Sequence, residues 1–161
     1  MAASPQREPD ASRHTLLRSF QNAFRGCLCA VRVGRNMRIH LSVLGLVVFF
    51  GAVGRIEAWA WAAVLLCVAL VLCAEAFNTA LERLCDRVST ARESVIRDVK
   101  DMAAGAVLVC AVGAAAVGLL VFCRSAVLYA VAAAFSSLPA LGVALAALLA
   151  GIFLFVRGKT I

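Results

Sequence analysis

Apolar and polar positions follow two different rhythms along this chain. Between residues 15 and 36, Leu16, Leu17, Phe20, Ala23, Phe24, Cys27, Leu28 and Val31 recur every three or four positions, while Arg18, Arg25 and Arg32 recur every seven on another face. That spacing predicts an amphipathic helix lying in a membrane interface. Beyond Arg38 long apolar runs replace the stripe: 39–53, 58–74 (which holds no charge), Lys100-Asp101 to about Phe122, and 141–156. Each predicts a membrane-spanning helix, the first of them short for a bilayer. Gly54-Arg55-Ile56-Glu57 predicts a turn between the first two spans, and Trp59 and Trp61 fit an aromatic belt where the second begins. That second helix is expected to run on through Asp86 into water, followed by a polar loop over 89–99. The Ala-rich stretch from Arg124 to Pro139 reads either as an interfacial helix or as the extension of a span.

These elements predict an all-α integral membrane protein: an N-terminal amphipathic interfacial helix, three core transmembrane helices and a fourth, C-terminal span. They divide the chain into a disordered tail (1–14), a membrane domain (15–123) and an extra C-terminal membrane segment (124–161). Composition agrees, since 63% of the 161 residues are hydrophobic, well above a soluble domain.

Charge orients the spans. Seven arginines (Arg7, Arg13, Arg18, Arg25, Arg32, Arg35, Arg38) precede the first run. Arg83, Arg87, Arg92, Arg97 and Lys100 lie between the second and third, and Arg157 and Lys159 follow the fourth. The positive-inside rule places all three regions in the cytoplasm, and an even number of spans satisfies it. The net charge of +7 does not point to nucleic acid, because no basic patch is interleaved with aromatics; anionic headgroups or nucleotide phosphates account for it more simply. The seven cysteines do not make a disulfide framework. Cys67, Cys73 and Cys110 sit within apolar runs, and Cys27-x-Cys29 has no second pair or suitable histidine for zinc. Residues 1–14 are polar and lack the apolar core of a signal peptide.

Candidate chemistry concentrates where the second span ends. Glu75, Asn78, Glu82 and Asp86 are spaced 3, 4 and 4 apart, which puts them within an arc of about 80° on one helix face. A carboxylate at the edge of a bilayer is costly and marks a functional site by default. Several in one stripe suit acid–base chemistry, a cation, or both. The plainer readings are that the acids pair with arginines at a helix end, that Asn78 bonds a neighbouring helix, and that Lys100 snorkels to the interface.

The block Glu75-Ala-Phe-Asn-Thr-Ala-Leu-Glu-Arg-Leu-Cys-Asp86 resembles the signature E-x-x-N-[S/T]-A-[aliphatic]-E-x-x-x-D of the prokaryotic diacylglycerol kinase family. Lys100-Asp-Met-Ala-Ala-Gly-Ala-Val107 resembles its K-D-x-x-x-x-A-V segment, and Arg35-Asn-Met-Arg-Ile-His40 its R-N-x-x-x-H start of the first span, as in the undecaprenol kinase branch. The resemblance covers roughly residues 18–122. It implies a homotrimeric, multi-pass kinase of the bacterial inner membrane, with its active site on the cytoplasmic side. Such an enzyme moves the γ-phosphate of ATP, with Mg²⁺, to a lipid alcohol: undecaprenol, slightly favoured by the third block, or diacylglycerol. By resemblance Glu75 is the general base, Glu82 the Mg²⁺ ligand, and Asn78, Glu82, Lys100 and Asp101 bind the nucleotide and acceptor. Arg25, Arg32 and Arg38 are available to neutralise phosphate.

The chain departs from the family at Gly34, where a second metal-binding Glu is usual, and no carboxylate occurs between Asp10 and Glu57. A second reading therefore stands beside the first: a degenerate or non-catalytic membrane protein using the acids for ions or lipid.

Overall fold

A computed structural model describes residues 16–88, 94–138 and 140–158, and all regular structure in them is helical. The elements are α1 (Leu16–Val33), α2 (Arg35–Val53), α3 (Ala58–Val88), α4 (Ser94–Phe122), α5 (Ser125–Ser137) and α6 (Ala140–Arg157). Four of them, α2, α3, α4 and α6, are long and apolar enough to cross a membrane. The chain is an all-α integral membrane protein. The tail 1–14 and residues 89–93 of the expected loop lie outside the described residues.

The first boundary differs from expectation. The amphipathic segment ends at Val33 rather than continuing to residue 36, because Gly34 takes an extended conformation and caps a new helix. The α1–α2 junction is tight: Gly34 N–H donates to Ala30 O at 2.8 Å, and a Cβ at Gly34 would stand 2.8 Å from that oxygen and 3.3 Å from Thr79 Oγ1 of α3. Helix α1 buries none of its side chains. Leu16, Leu17, Phe20 and Phe24 stay exposed on one side, the form of a helix that floats in an interface. Arg83 Nη1 donates to Cys29 Sγ at 3.3 Å and links it to α3.

Two other boundaries also shift. Helix α4 begins at Ser94, so the second half of the expected 89–99 loop is helical. The stretch after Arg124 is neither continuous with α4 nor with α6; it is the separate 13-residue helix α5.

Helices α3 and α4 make the principal pairing, α2 packs on α3, and α6 packs on α2. The apolar core lies at the end opposite Glu75, where Ile56, Ala60, Val64, Val121 and Val127 pack together with Trp61, Val117 and Phe122 around them. Helix α5 covers that end, with Phe135 6.4 Å from Phe49 between ring centroids. Trp59 is exposed there as a belt residue should be, donates Nε1–H to Glu57, and lies under Arg124 at 5.6 Å. Trp61 departs from the belt reading: its ring packs on Gly51, where an added Cβ would lie 2.7 Å from the indole.

Most large apolar side chains of α3, α4 and α6 face outward, among them Leu66, Leu70, Val109, Leu120 and Leu154. In a bilayer lipid covers them, so this thin core does not signal a missing partner by itself.

The Gly51–Trp61 contact is testable. Gly51→Ala must displace the indole and is expected to destabilise the protein by about 1–3 kcal/mol. Gly113→Ala, at a site with nothing within 4 Å, is expected to be neutral or stabilising. Equilibrium unfolding in mixed micelles checks both; equal effects at the two sites would discount the packing argument.

Candidate functional site

Helix α3 has 31 residues, about 46 Å, against a hydrocarbon core about 30 Å thick. Counting from Trp59, Glu75 falls about 24 Å along the axis and Glu82 about 35 Å, so the polar stripe straddles the expected membrane edge. Burial follows the same gradient. Glu75 is 2% exposed and Asn78 4%, whereas Glu82 and Asp86 are exposed. One helix face thus carries a dry carboxylate, a dry amide and two wet carboxylates in register.

The side chains form a ladder. Asn78 Nδ2 donates to Glu82 Oε1 at 3.2 Å, one turn further on. Asn78 Oδ1 and Glu75 Oε2 are buried and have no hydrogen-bond partner. Leaving a buried acceptor unpaired costs about 1–3 kcal/mol, more when it is charged. Two such atoms on adjacent turns are therefore a standing demand for a donor or a cation. Among the described residues no group of three or more His, Cys, Asp or Glu side chains is placed to hold a metal unaided. Glu82 with the neighbouring Asn78 offers oxygen ligands of the kind that suit Mg²⁺, a hard cation often held by one or two carboxylates together with phosphate oxygens, whereas Glu75 lies two turns away.

The first turn of α2 closes the site from the side. The Asn36 side chain lies next to the Glu75 carboxylate. Thr79 is buried under Gly34, so the junction before α2 rests on the same turn of α3. Sequence reasoning recognised Arg35-Asn36 as part of a motif but gave Asn36 no contact; only the packing of α2 on α3 brings it to Glu75.

Lys100 and Asp101 part company. Lys100 Nζ meets Asp86 Oδ1 at 2.6 Å and joins α4 to the water-side end of the stripe. Asp86 therefore faces Lys100 rather than Arg83 or Arg87. Asp101 is exposed, and no hydrogen bond or ion pair among the described residues joins it to Glu75, Asn78 or Glu82. Arg38, one of three arginines available for phosphate, is buried and committed elsewhere: its Nη1 donates to Gly158 O at 3.0 Å. Arg25 and Arg32 remain exposed on α1. His40 lines an apolar cleft of about 240 Å³ between α2, α3 and α4, where it is a packed side chain.

Comparison with known proteins fits this arrangement. Residues 21–122 match the family described as prokaryotic diacylglycerol kinase, and the chain belongs to that family. It is similar to an undecaprenol kinase of Bacillus subtilis, 31% identical over 105 residues that make up 65% of this chain and 85% of that protein. It is also similar to a diacylglycerol kinase of Synechocystis, 38% identical over 104 residues, 64% of this chain and 59% of that protein. No solved structure matches it. Helices α5 and α6 lie beyond the matched residues.

The Arg38–Gly158 bond predicts a local effect. Arg38→Met removes the donor that holds the Gly158 carbonyl just beyond α6, and amide hydrogen exchange over 154–158 is expected to accelerate roughly tenfold or more. Unchanged exchange there would mean that the bond does not hold the end of α6.

Proposed function

We propose that this member of the prokaryotic diacylglycerol kinase family is an ATP-dependent kinase of membrane lipid alcohols, acting at the cytoplasmic face of a bacterial inner membrane as a homotrimer. The observation that carries the reading is the Glu75 carboxylate, buried beside Asn36 with Oε2 unpartnered while Glu82 stands in water two turns away. A base that meets a lipid hydroxyl has to sit on the membrane side, and groups that meet a nucleotide have to sit on the water side. One helix face supplies both.

In this reading Glu75 takes the proton of the lipid hydroxyl as that oxygen bonds to the γ-phosphorus and the bond to ADP breaks. Asn36 and the packing around Glu75 fix the carboxylate and keep water from it, so the proton comes from the acceptor rather than from solvent. Asn78 holds Glu82 through its amide N–H and keeps a buried Oδ1 without a partner. Glu82 and Asn78 Oδ1 would hold Mg²⁺, which when bound neutralises phosphate charge. Lys100, held by Asp86, and Asp101 would position nucleotide on the α4 side.

Gly34 bears on how the cation is held. A side chain there would press on Ala30 O and Thr79, so this position is closed by packing and cannot supply a second carboxylate without reopening the α1–α2 junction. The reading therefore assigns the remaining coordination to phosphate oxygens. The same feature favours a second reading, a family member with little activity.

Phosphate transfer from γ-labelled ATP in lipid micelles tests the proposal, with undecaprenol and diacylglycerol offered separately. Label is expected in at least one lipid. Glu75→Gln is expected to lower kcat by about 10²–10⁴-fold. Glu82→Gln is expected to raise the Mg²⁺ concentration needed for half-maximal rate. No label with either lipid in folded protein would sink the kinase reading and leave the degenerate one.

A further inference from the structure

Helix α6 lies outside the family match, yet it returns to the end of the molecule that holds Glu75. The Arg38–Gly158 hydrogen bond spans 120 positions of sequence and fastens the C-terminal end of α6 to the first turn of α2. Below that fastening a groove runs along the seam where the two helices pack. The groove between them, about 690 Å³, is lined by Ile39, Val43 and Leu46 of α2 and by Leu149, Ile152 and Phe153 of α6. That volume lies within the range of pockets that hold small molecules. Its polar groups are few: Ser42, whose hydroxyl is spent on Arg38 O at 2.8 Å, and the arginines Arg35 and Arg157.

Arg35 is the first residue of α2 and Arg157 the last of α6, so both stand at the fastened end of the groove. Arg157 is braced over the Phe153 ring at 5.3 Å. The ion pairs among the described residues are Lys100–Asp86 and Glu57–Arg124, so neither groove arginine has a carboxylate partner there, and no acid lines the groove. No residue of the candidate span α6 is fully buried, so the slot opens sideways to whatever surrounds the helices. Two unpaired cations at one end of a long apolar slot complement an anionic headgroup with a hydrocarbon tail. A neutral lipid alcohol has no use for the arginines, and free phosphate has no use for the slot.

We propose that the α2–α6 groove binds an anionic phospholipid of the surrounding bilayer, with its phosphate between Arg35 and Arg157 and an acyl chain along Ile39, Val43, Leu149 and Phe153. The site is separate from the Glu75 stripe and does not depend on the chain being a kinase.

The test uses the intact, delipidated protein in neutral micelles without nucleotide. Phosphatidylglycerol and phosphatidylcholine with identical acyl chains are titrated, and bound lipid is counted by native mass spectrometry. Wild type is expected to favour phosphatidylglycerol by about thirtyfold, the scale of two arginines at a lipid surface. Arg35→Gln combined with Arg157→Gln is expected to abolish the preference, and the corresponding pair of lysine substitutions to keep most of it. Val43→Phe, which fills the slot but leaves the charges, is expected to weaken phosphatidylglycerol binding. The proposal is overturned if wild type binds both lipids equally or if the glutamine pair keeps the preference. It is likewise overturned if inorganic phosphate displaces phosphatidylglycerol at equal concentration, since binding would then be to the headgroup charge alone.

Discussion

The difference between a helix of about 46 Å and a hydrocarbon core of about 30 Å is the constraint on which the site depends. Inside the core every backbone polar group must be satisfied within a helix, and a charged side chain has nowhere to go. Helix α3 obeys that rule from Ala58 to Ala74 and first breaks it at Glu75. Because the break comes where the helix leaves the slab, Glu75 meets the dry side and Glu82 the wet side without any bend or loop between them. The rigid rise of the helix sets the separation of the two carboxylates.

A buried carboxylate with an unpartnered oxygen is expensive, and the neighbouring elements are arranged around that cost. Asn36 of α2 stands beside it, and Thr79 lets the α1–α2 junction sit close through Gly34. The same first turn of α2 faces three ways: Asn36 toward Glu75, Arg35 toward the α6 groove, and Arg38 onto the Gly158 carbonyl just past α6. Gly34 is thus a packing residue here, a role that a glutamate could not share.

Lipid takes the part that a larger core plays in a soluble protein. The buried apolar cluster is small and sits far from the site, where Trp61 on Gly51 and Val127 near Gly54 lock α2, α3 and α5 together. One end of the bundle is closed by packing and the other is organised by polar contacts. The segment beyond the family match contributes to both, through α5 at the packed end and α6 at the polar end.

The sequence by itself determined the helical class, the spans and the carboxylate face, because hydropathy and the 100° step between residues are local properties of the chain. The run from 58 to 74 and the spacing of Glu75, Asn78, Glu82 and Asp86 needed no knowledge of neighbours. Helix ends were less legible: Gly34 splits α1 from α2 by its extended backbone, and Ser94 already begins α4. Tertiary structure alone decided the contacts between elements. Asn36 comes beside Glu75, Asp86 meets Lys100 instead of the arginines nearer in sequence, Asp101 is left out of the cluster, and Arg38 is spent on Gly158 across 120 positions. Those pairings are set by how α2, α4 and α6 pack around α3, and no periodicity within a single helix encodes which side chain of a neighbour will face it.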